Sequence, residues 1–329
     1  MKIAAIAFTD RGMELGQRLR SGFDLTLTRC SEGELSTWTK DNFPAADALL
    51  FIGAAGIAVR AVAPYIKSKT ADPAVVVMDE LGSYAIPLLS GHMGGANQLA
   101  VRLARYAGAL PVITTATDIN RVFAIDSWAQ SQGLIVANPE GIKRISARLL
   151  AGGAIRIKSS FPIMGPAPAG IVLSDGEYDV LITCRTRGKT TALRLIAPVV
   201  TLGIGCKNGM AADVIETAFT MMMRKAGCSE AAICGAASID IKAGEPGILE
   251  FCRRHRLPLR TFSAAELAAV PGVFSGSDFV NKVTGVDNVC ERSAVLASGG
   301  RLLAGKEAAN GVTMALAIRE PRLYFREEA

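Results

Sequence analysis

The chain predicts an α/β fold built on largely parallel sheets, and three features of the sequence point there. Short aliphatic runs alternate with stretches of helical periodicity, glycine-rich turns separate them, and aromatics make up only 6% of the residues against 50% hydrophobic overall. Parallel strands covered by helices on both faces read as such aliphatic runs, because neither face meets water. With 329 residues there is material for more than one packed domain.

The elements follow in order. KIAAIAF (2–8) reads as a strand, Asp10 to Leu19 as a helix and FDLTLTR (23–29) as a second strand. ADALLFIG (46–53) is a buried strand running into a glycine turn and the helical IAVRAVAPYI. AVVVMDE (74–80) is a strand, YAIPLL (84–89) an extended piece, ANQLAVRLARYAG a helix ended by Gly108, and LPVITTAT (110–117) a closing strand. A smaller unit begins with SWAQSQG and includes the loop-like FPIMGPAPAG and the strands YDVLITCR and ALRLIAPVVTLGIG. From Val199 the strand–helix pattern restarts. The expected division is a three-layer α/β domain over 1–125, a small α/β middle region over 126–198 and a second three-layer α/β domain over 199–329.

Composition excludes several classes. Mean hydropathy is +0.30, yet the longest apolar stretch, from Ala45 to Val62, is broken by Asp47, Gly53, Gly56 and Arg60. It is too interrupted for a membrane helix. The N-terminus reads as a first strand and not as a signal peptide. Seven cysteines, an odd number without CxxC spacing, argue against a disulfide framework or a zinc site and for a reducing cytoplasm. A net charge of +6 favours anionic ligands. No basic helix with interleaved aromatics supports nucleic acid, and no GxxxxGK[ST] supports a nucleotide-binding regulator. A polycarboxylate suits the charge.

Three glycine turns carry the candidate chemistry. In LLSGHMGGAN (88–97), Gly91, Gly94 and Gly95 allow close backbone approach at the start of a helix, where amides favour an anion. Ser90 and His92 offer a hydrogen-bonding and proton-transfer pair, Asn97 a further polar contact, and Asp79 and Glu80 sit at the preceding strand end. The plainer alternative is that Ser90 or Asn97 caps the helix and His92 is a surface residue. In FIGAAGIAVR (51–60), Gly53 and Gly56 precede a helix with Arg60, and Lys67 and Lys69 follow, so carboxylates could pair there. This is not GxGxxG, and small-residue packing explains it equally. In GIGCKNG (203–209), Gly205 and Lys207 could contact a ligand, with Cys206 a small or buried thiol more than a nucleophile. Asp240, Lys242, Asp287 and Glu291 lie near strand ends or turns and could line a site or form surface ion pairs. Met221 to Met223 read as core filling.

FIGAAGIAVRAVAPYIKSKTADPAVVVMDE, LLSGHMGGANQLA, PVITTATD, TLGIGCKNG, ASIDIKAGEPGILEF and TGVDNVCERSAVLAS occur in that order. Together they resemble the cobalt-precorrin-5A hydrolase family (CbiG), with LLSGHxGGAN after VVxxDE the most specific match. Asn208 stands where the resemblance implies a second basic residue. The resemblance implies a cytoplasmic enzyme of anaerobic cobalamin biosynthesis acting on a polycarboxylate tetrapyrrole. Water opens the ring A δ-lactone and a two-carbon unit leaves as acetaldehyde. It implies no cofactor of the chain's own, cobalt arriving inside the substrate, and other pathway enzymes as possible company. It fixes no oligomeric state. On this reading His92, supported by Asp79 or Glu80, is the expected base, and the amides of Gly91 to Gly95 are the expected oxyanion donors. A non-catalytic carrier of corrin intermediates is the alternative from another class.

Overall fold

The computed structural model describes all residues except 69, 70, 93, 187–190 and 326–329. The chain divides into two compact units, Met1–Trp128 and Ala129–Ala329.

The first unit runs β1 (Ile3–Ala7), α1 (Asp10–Leu19), β2 (Leu25–Arg29), α2 (Glu34–Asn42), β3 (Ala48–Ile52), α3 (Ala55–Val62), β4 (Ala74–Met78), β5 (Tyr84–Leu89), α4 (Ala96–Ala107), β6 (Leu110–Pro111) and α5 (Ala116–Ile119). A further helix, α6 (Ile125–Ser131), begins at its end. The sheet order is β2-β1-β3-β4-β5-β6, parallel throughout except that β5 runs antiparallel to β4. The central strands β1, β3 and β4 are buried at every position, the environment their aliphatic runs require. Alternate residues then serve opposite faces. Ala5, Leu50, Ile52, Val76 and Met78 pack against Leu15 and Leu19 of α1 and Leu99 and Leu103 of α4. Ile6, Leu49, Phe51, Val75 and Val77 pack against Ala58 and Val62 of α3 and against Trp38 of α2. The result is a three-layer α/β domain.

Two departures from the sequence reading matter for the site. YAIPLL pairs as the antiparallel β5 because a tight turn after β4 reverses the chain. The Asp79 carboxylate holds that turn, accepting from the backbone N–H of Leu81, Ser83 and Tyr84 at 3.0, 2.8 and 2.7 Å. LPVITTAT is strand only at Leu110–Pro111, and from Thr115 the chain coils into α5.

The second unit contains β7 (Ile135–Val136), α7 (Glu140–Leu150), β8 (Ile155–Ser159), β9 (Ile163–Met164), β10 (Ile171–Leu173), β11 (Val180–Thr183) and β12 (Leu193–Ile196). These give the sheet β10-β8-β11-β12-β7, parallel except at β7, with α7 packed against it. Then come β13 (Val200–Cys206), α8 (Ala212–Ala226), β14 (Ile233–Ile239), α9 (Pro246–His255), β15 (Leu259–Phe262), α10 (Ala264–Ala268), α11 (Asp278–Thr284), α12 (Cys290–Ser298), β16 (Arg301–Ala309), β17 (Val312–Ile318) and β18 (Leu323–Tyr324). Their sheet is β15-β14-β13-β17-β16, parallel from β13 to β15 and antiparallel through β17 and β16. Helix α12 packs on β13, β14 and β17, while α8 packs on β16 and β17 and against α9. Met222 and Met223 of α8 are buried as core, whereas Met221 is exposed. The short β18 pairs with β9.

Candidate functional site

The loop between β5 and α4 closes on itself. The Ser90 carbonyl accepts from Gly94 N at 3.1 Å and from Ala96 N at 3.2 Å, the His92 carbonyl from Gly95 N at 3.0 Å, and the Gly91 carbonyl from Asn97 N at 2.9 Å. Glycine is required by this closeness: a Cβ on Gly94 would lie 2.3 Å from Ser90 Cβ, and one on Gly91 would lie 2.7 Å from Asn97 Oδ1. These contacts narrow the expected oxyanion site, because the amides of Gly94, Gly95, Ala96 and Asn97 donate inside the loop. Ser90, at φ 56°, donates its hydroxyl to the Asp72 carbonyl at 3.0 Å and makes no hydrogen bond with His92.

What the closed loop presents is His92, between two aspartates. Nε2 lies 2.9 Å from Asp118 Oδ2 and Nδ1 lies 3.2 Å from Asp126 Oδ2, with Thr117 Oγ1 at 3.4 Å from Nε2. The side chains of His92 and Asp126 are 13% and 12% exposed, whereas that of Asp118 is 40% exposed. Asn97, buried beneath them, donates from Nδ2 to Thr115 Oγ1 at 3.0 Å and to Asp118 Oδ2 at 2.9 Å. The hydrogen bond to Asp126 raises the imidazole most; burial opposes it, Asp118 and the two charges add to it, and His92 is pushed up to about 9. Burial alone would raise the Asp126 carboxyl, but the hydrogen bond and charge of His92 outweigh it and leave it below its ordinary value.

The expected support of His92 by Asp79 or Glu80 is therefore replaced. Asp79 is engaged by the β4–β5 turn, and Glu80 Oε2 accepts from Thr9 Oγ1 at 2.5 Å, the hydroxyl that also caps α1. The expected neutral base is replaced as well, because an imidazole titrating near 9 is a cation at neutral pH. Asp118 is the more exposed carboxylate of the cluster. His92 and Asn97 hold its Oδ2, and its Oδ1 has no hydrogen bond among the described residues.

The other predicted residues fall into two groups. Gly53 packs under Phe8, and Gly56 sits in the first turn of α3 beside the exposed Arg60 guanidinium, which has no ion pair among the described residues. The buried Asp72 carboxylate accepts from Lys67 N at 3.0 and 3.1 Å, and its own carbonyl accepts from Ser90. The Lys67 side chain is thus exposed on a turn tied to the glycine loop; Lys69 lies outside the described residues.

In the second unit, Gly205, Cys206, Lys207 and Asn208 line a cleft with Lys242. The Lys242 ammonium is buried, donates to Asn208 Oδ1 and pairs with Glu245 at 2.8 Å. Burial raises the Cys206 thiol above its ordinary value, although the charge of Lys242 opposes it, which disfavours the thiolate a nucleophile needs. Of Asp240, Asp287 and Glu291, only Glu291 has both carboxylate oxygens engaged inside the fold. Asp240 accepts from Ile241 N at 2.7 Å, and Asp287 pairs with Arg292 at 2.9 Å. Glu291, 2% exposed, accepts from the backbone of Ser275 and Lys306 and from Asn288 Nδ2. The other histidine, His255, bonds Glu216 and packs against Phe219 and Phe251.

Residues 37–118, which contain His92, Asn97 and Asp118, match the family model described as Cobalamin synthesis G N-terminal, and residues 200–317 match the one described as Cobalamin synthesis G C-terminus. The chain belongs to the cobalamin synthesis G family. Among its family relatives, cobalt-precorrin-5A hydrolase of Salmonella typhimurium is 33% identical over 96% of this chain and 97% of its own length. Cobalt-precorrin-5A hydrolase of Priestia megaterium is 30% identical over 82% of this chain and 78% of its own. Among solved structures, cobalamin biosynthesis protein chiG of Agrobacterium tumefaciens is similar at 27% identity and a TM-score of 0.29, over 36% of this family member and 98% of that chain. Sequence reasoning missed Thr117, Asp118 and Asp126. Asp118 ends the quoted segment PVITTATD, and the signal there was a carboxylate beside two threonines in a stretch taken as strand.

Proposed function

We propose that this chain is a cobalt-precorrin-5A hydrolase of anaerobic cobalamin biosynthesis. It opens the ring A δ-lactone of the substrate and releases the two-carbon unit as acetaldehyde. The observation that carries this reading is the end-to-end match to the Salmonella typhimurium hydrolase, 33% identity over 96% of this chain. The His92 cluster supplies chemistry of the kind the reaction needs.

Lactone opening transfers a proton from water as it attacks the carbonyl, and the ring oxygen leaves as an alcohol. Asp118, the more exposed carboxylate, takes the water proton through its free Oδ1. The imidazolium of His92 stabilises the developing oxyanion by its charge. In the second step a carboxylate takes the proton of the freed hydroxyl, the C–C bond breaks, acetaldehyde leaves, and the ring carbon gains a proton. Asp126 keeps His92 charged and oriented and is a positioning residue. Arg60 and Lys67 are placed to pair with substrate carboxylates. The cobalt enters inside the substrate, and the chain contributes no metal of its own. No helix among the described residues is long and apolar enough to cross a membrane, and we place the reaction in the cytoplasm. The test is acetaldehyde release from cobalt-precorrin-5A by the purified chain. One acetaldehyde per macrocycle consumed supports the reading, and consumption without acetaldehyde removes it.

A further inference from the structure

Helix α5, which carries Asp118, is a single turn of four residues. So short a helix does not hold its own geometry, since one turn fixes several backbone angles for little hydrogen bonding in return. The direction in which Asp118 points is therefore set by what grips the turn from outside. The cap of the helix gives the first sign. Thr115 stands at the N-cap, where a threonine hydroxyl ordinarily accepts from a backbone N–H of the first turn. Here the side chain makes no such bond, and Oγ1 instead accepts from Asn97 Nδ2 at 3.0 Å.

Asn97 belongs to the first turn of α4 and is 7% exposed. Its amide reaches two points of α5, Thr115 Oγ1 and, at 2.9 Å, Asp118 Oδ2. Those residues are three apart and share one side of the turn. Both N–H groups of Nδ2 are used, which fixes which way round the amide sits. Turned over, it would set its own oxygen against the carboxylate. The amide is held from behind as well. Its oxygen lies 2.7 Å from where a Cβ on Gly91 would be, and the Asn97 backbone N–H donates to the Gly91 carbonyl at 2.9 Å. The glycine loop thus seats Asn97 as well as His92.

The charged groups at Asp118 are His92 from that loop and, beyond it, Asp126 from α6; Asn97, the contact from α4, is neutral. Oδ2 receives two donors, His92 Nε2 and Asn97 Nδ2, and Oδ1 receives none among the described residues. Two donors fill the lone pairs of one carboxylate oxygen, so an incoming proton goes to the other.

We propose that Asn97 is a positioning residue of the reaction: it clamps the single turn of α5 at Thr115 and Asp118 and so aims Asp118 Oδ1 at the substrate. The proposal rests on the hydrolase reading, in which that oxygen takes the proton of the attacking water. Asn97 is buried beneath the aspartate and acts only through it, so its loss lowers kcat and leaves KM in place.

The experiment uses the full chain with Asn97→Asp, Asn97→Ala and Leu99→Val. Leu99, two residues along α4 and 1% exposed, packs in the sheet core, so its variant reports a loosened α4 alone. Each is followed by acetaldehyde release against pH, by the unfolding curve and by the ring-proton resonances of His92. Asn97→Ala should lose about 10²-fold in kcat with KM unchanged, while His92 still titrates at about 9 because Asp126 is its strongest partner. In Asn97→Asp two carboxylates meet where amide and carboxylate met, and like charges so close share one proton. The His92 resonance should then show an added step between the carboxylate range and its own titration, absent from wild type. Below that step the shared proton donates to Asp118 as the amide did, so kcat should recover. Above it kcat should fall to the level of Asn97→Ala. Leu99→Val should lower the unfolding midpoint and keep wild-type kcat. Should Asn97→Ala fail to fold, Asn97→Asp, of the same size, carries the test.

Wild-type kcat in Asn97→Ala, absence of the added step, a kcat in Asn97→Asp that ignores it, or a loss in Leu99→Val equal to that in Asn97→Ala would each overturn the proposal. So would a His92 titration that returns to its ordinary value in Asn97→Ala. A wild type that releases no acetaldehyde, with the added step present in Asn97→Asp, would instead sink the hydrolase reading and leave the clamp on Asp118 standing.

Discussion

His92 Nδ1 lies 3.2 Å from Asp126 Oδ2, a carboxylate that begins the segment the sequence reads as a separate middle region. The contact joins the glycine loop to α6 and, with Asp118, holds the imidazole charged to about pH 9. Because the folded pKa is raised above its ordinary value, the stabilisation is complete below about pH 6.5 and is lost as pH rises through 9. At 1.36 kcal/mol per unit it amounts to at most about 3 kcal/mol. Asp126 is shifted down, so its share is present above the ordinary carboxylate range and is lost in acid. Asp126→Asn should bring His92 back towards its ordinary value. With only two histidines in the chain, an NMR titration of their ring protons reads this directly. A His92 titration left near 9 would contradict the assigned partner.

Asp118→Asn keeps the size of the side chain and loses the proton acceptor. Acetaldehyde release should fall by about 10²–10⁴-fold, with the macrocycle still bound and the unfolding curve little changed. A variant that keeps wild-type kcat would remove Asp118 from the reaction.

Gly94→Ala places a methyl group 2.3 Å from Ser90 Cβ, in a loop whose carbonyls are already committed. Relief requires backbone movement, so the expected cost is about 1–3 kcal/mol, seen as a lower denaturant midpoint. Activity per folded molecule should fall too, because the loop places His92. A midpoint and rate equal to wild type would show that the loop is looser than the contacts describe.

The three-layer organisation of the first unit was legible from its aliphatic runs, since IAAIA, ALLFI and AVVVM can be buried on both faces only in a sheet covered twice. The antiparallel β5 was not, because the reversal depends on Asp79 gathering three backbone amides, and one acidic residue after a strand does not announce a turn. His92 stood out by its glycine surroundings. Its partners did not, because Asp118 and Asp126 meet it only after α4 has crossed back along the sheet, a relation of space and not of spacing. Sequence proximity pointed to Asp79 and Glu80. In the second unit the glycine loop was visible, but Lys242 reaches Asn208 from the turn after β14, and no local pattern encodes that.

Glu291→Ala should destabilise the second unit. Its carboxylate, 2% exposed, satisfies the N–H groups of Ser275 and Lys306 and the amide of Asn288. Removing it strands buried donors, at about 1–3 kcal/mol for each group left unsatisfied. Thermal or denaturant unfolding should detect a large loss, and a shift within error would place Glu291 among ordinary surface carboxylates.

Arg60→Ala and Lys67→Ala should raise KM for the macrocycle with a smaller change in kcat, since a carboxylate pair formed before the reaction persists through it. Both side chains are exposed and Arg60 is without an ion pair among the described residues, so folding should be untouched. Unchanged KM in both would exclude this segment from substrate binding.

The most direct test of the account is single-turnover acetaldehyde release from cobalt-precorrin-5A by wild type, Asp118→Asn and His92→Asn across pH 6 to 10. The account predicts stoichiometric acetaldehyde from wild type, a rate that falls as His92 loses its proton near pH 9, and a loss of about 10²–10⁴-fold in both variants. Wild-type rates in both variants, with no change in rate through pH 9, would contradict the placement of the chemistry at the His92–Asp118–Asp126 cluster.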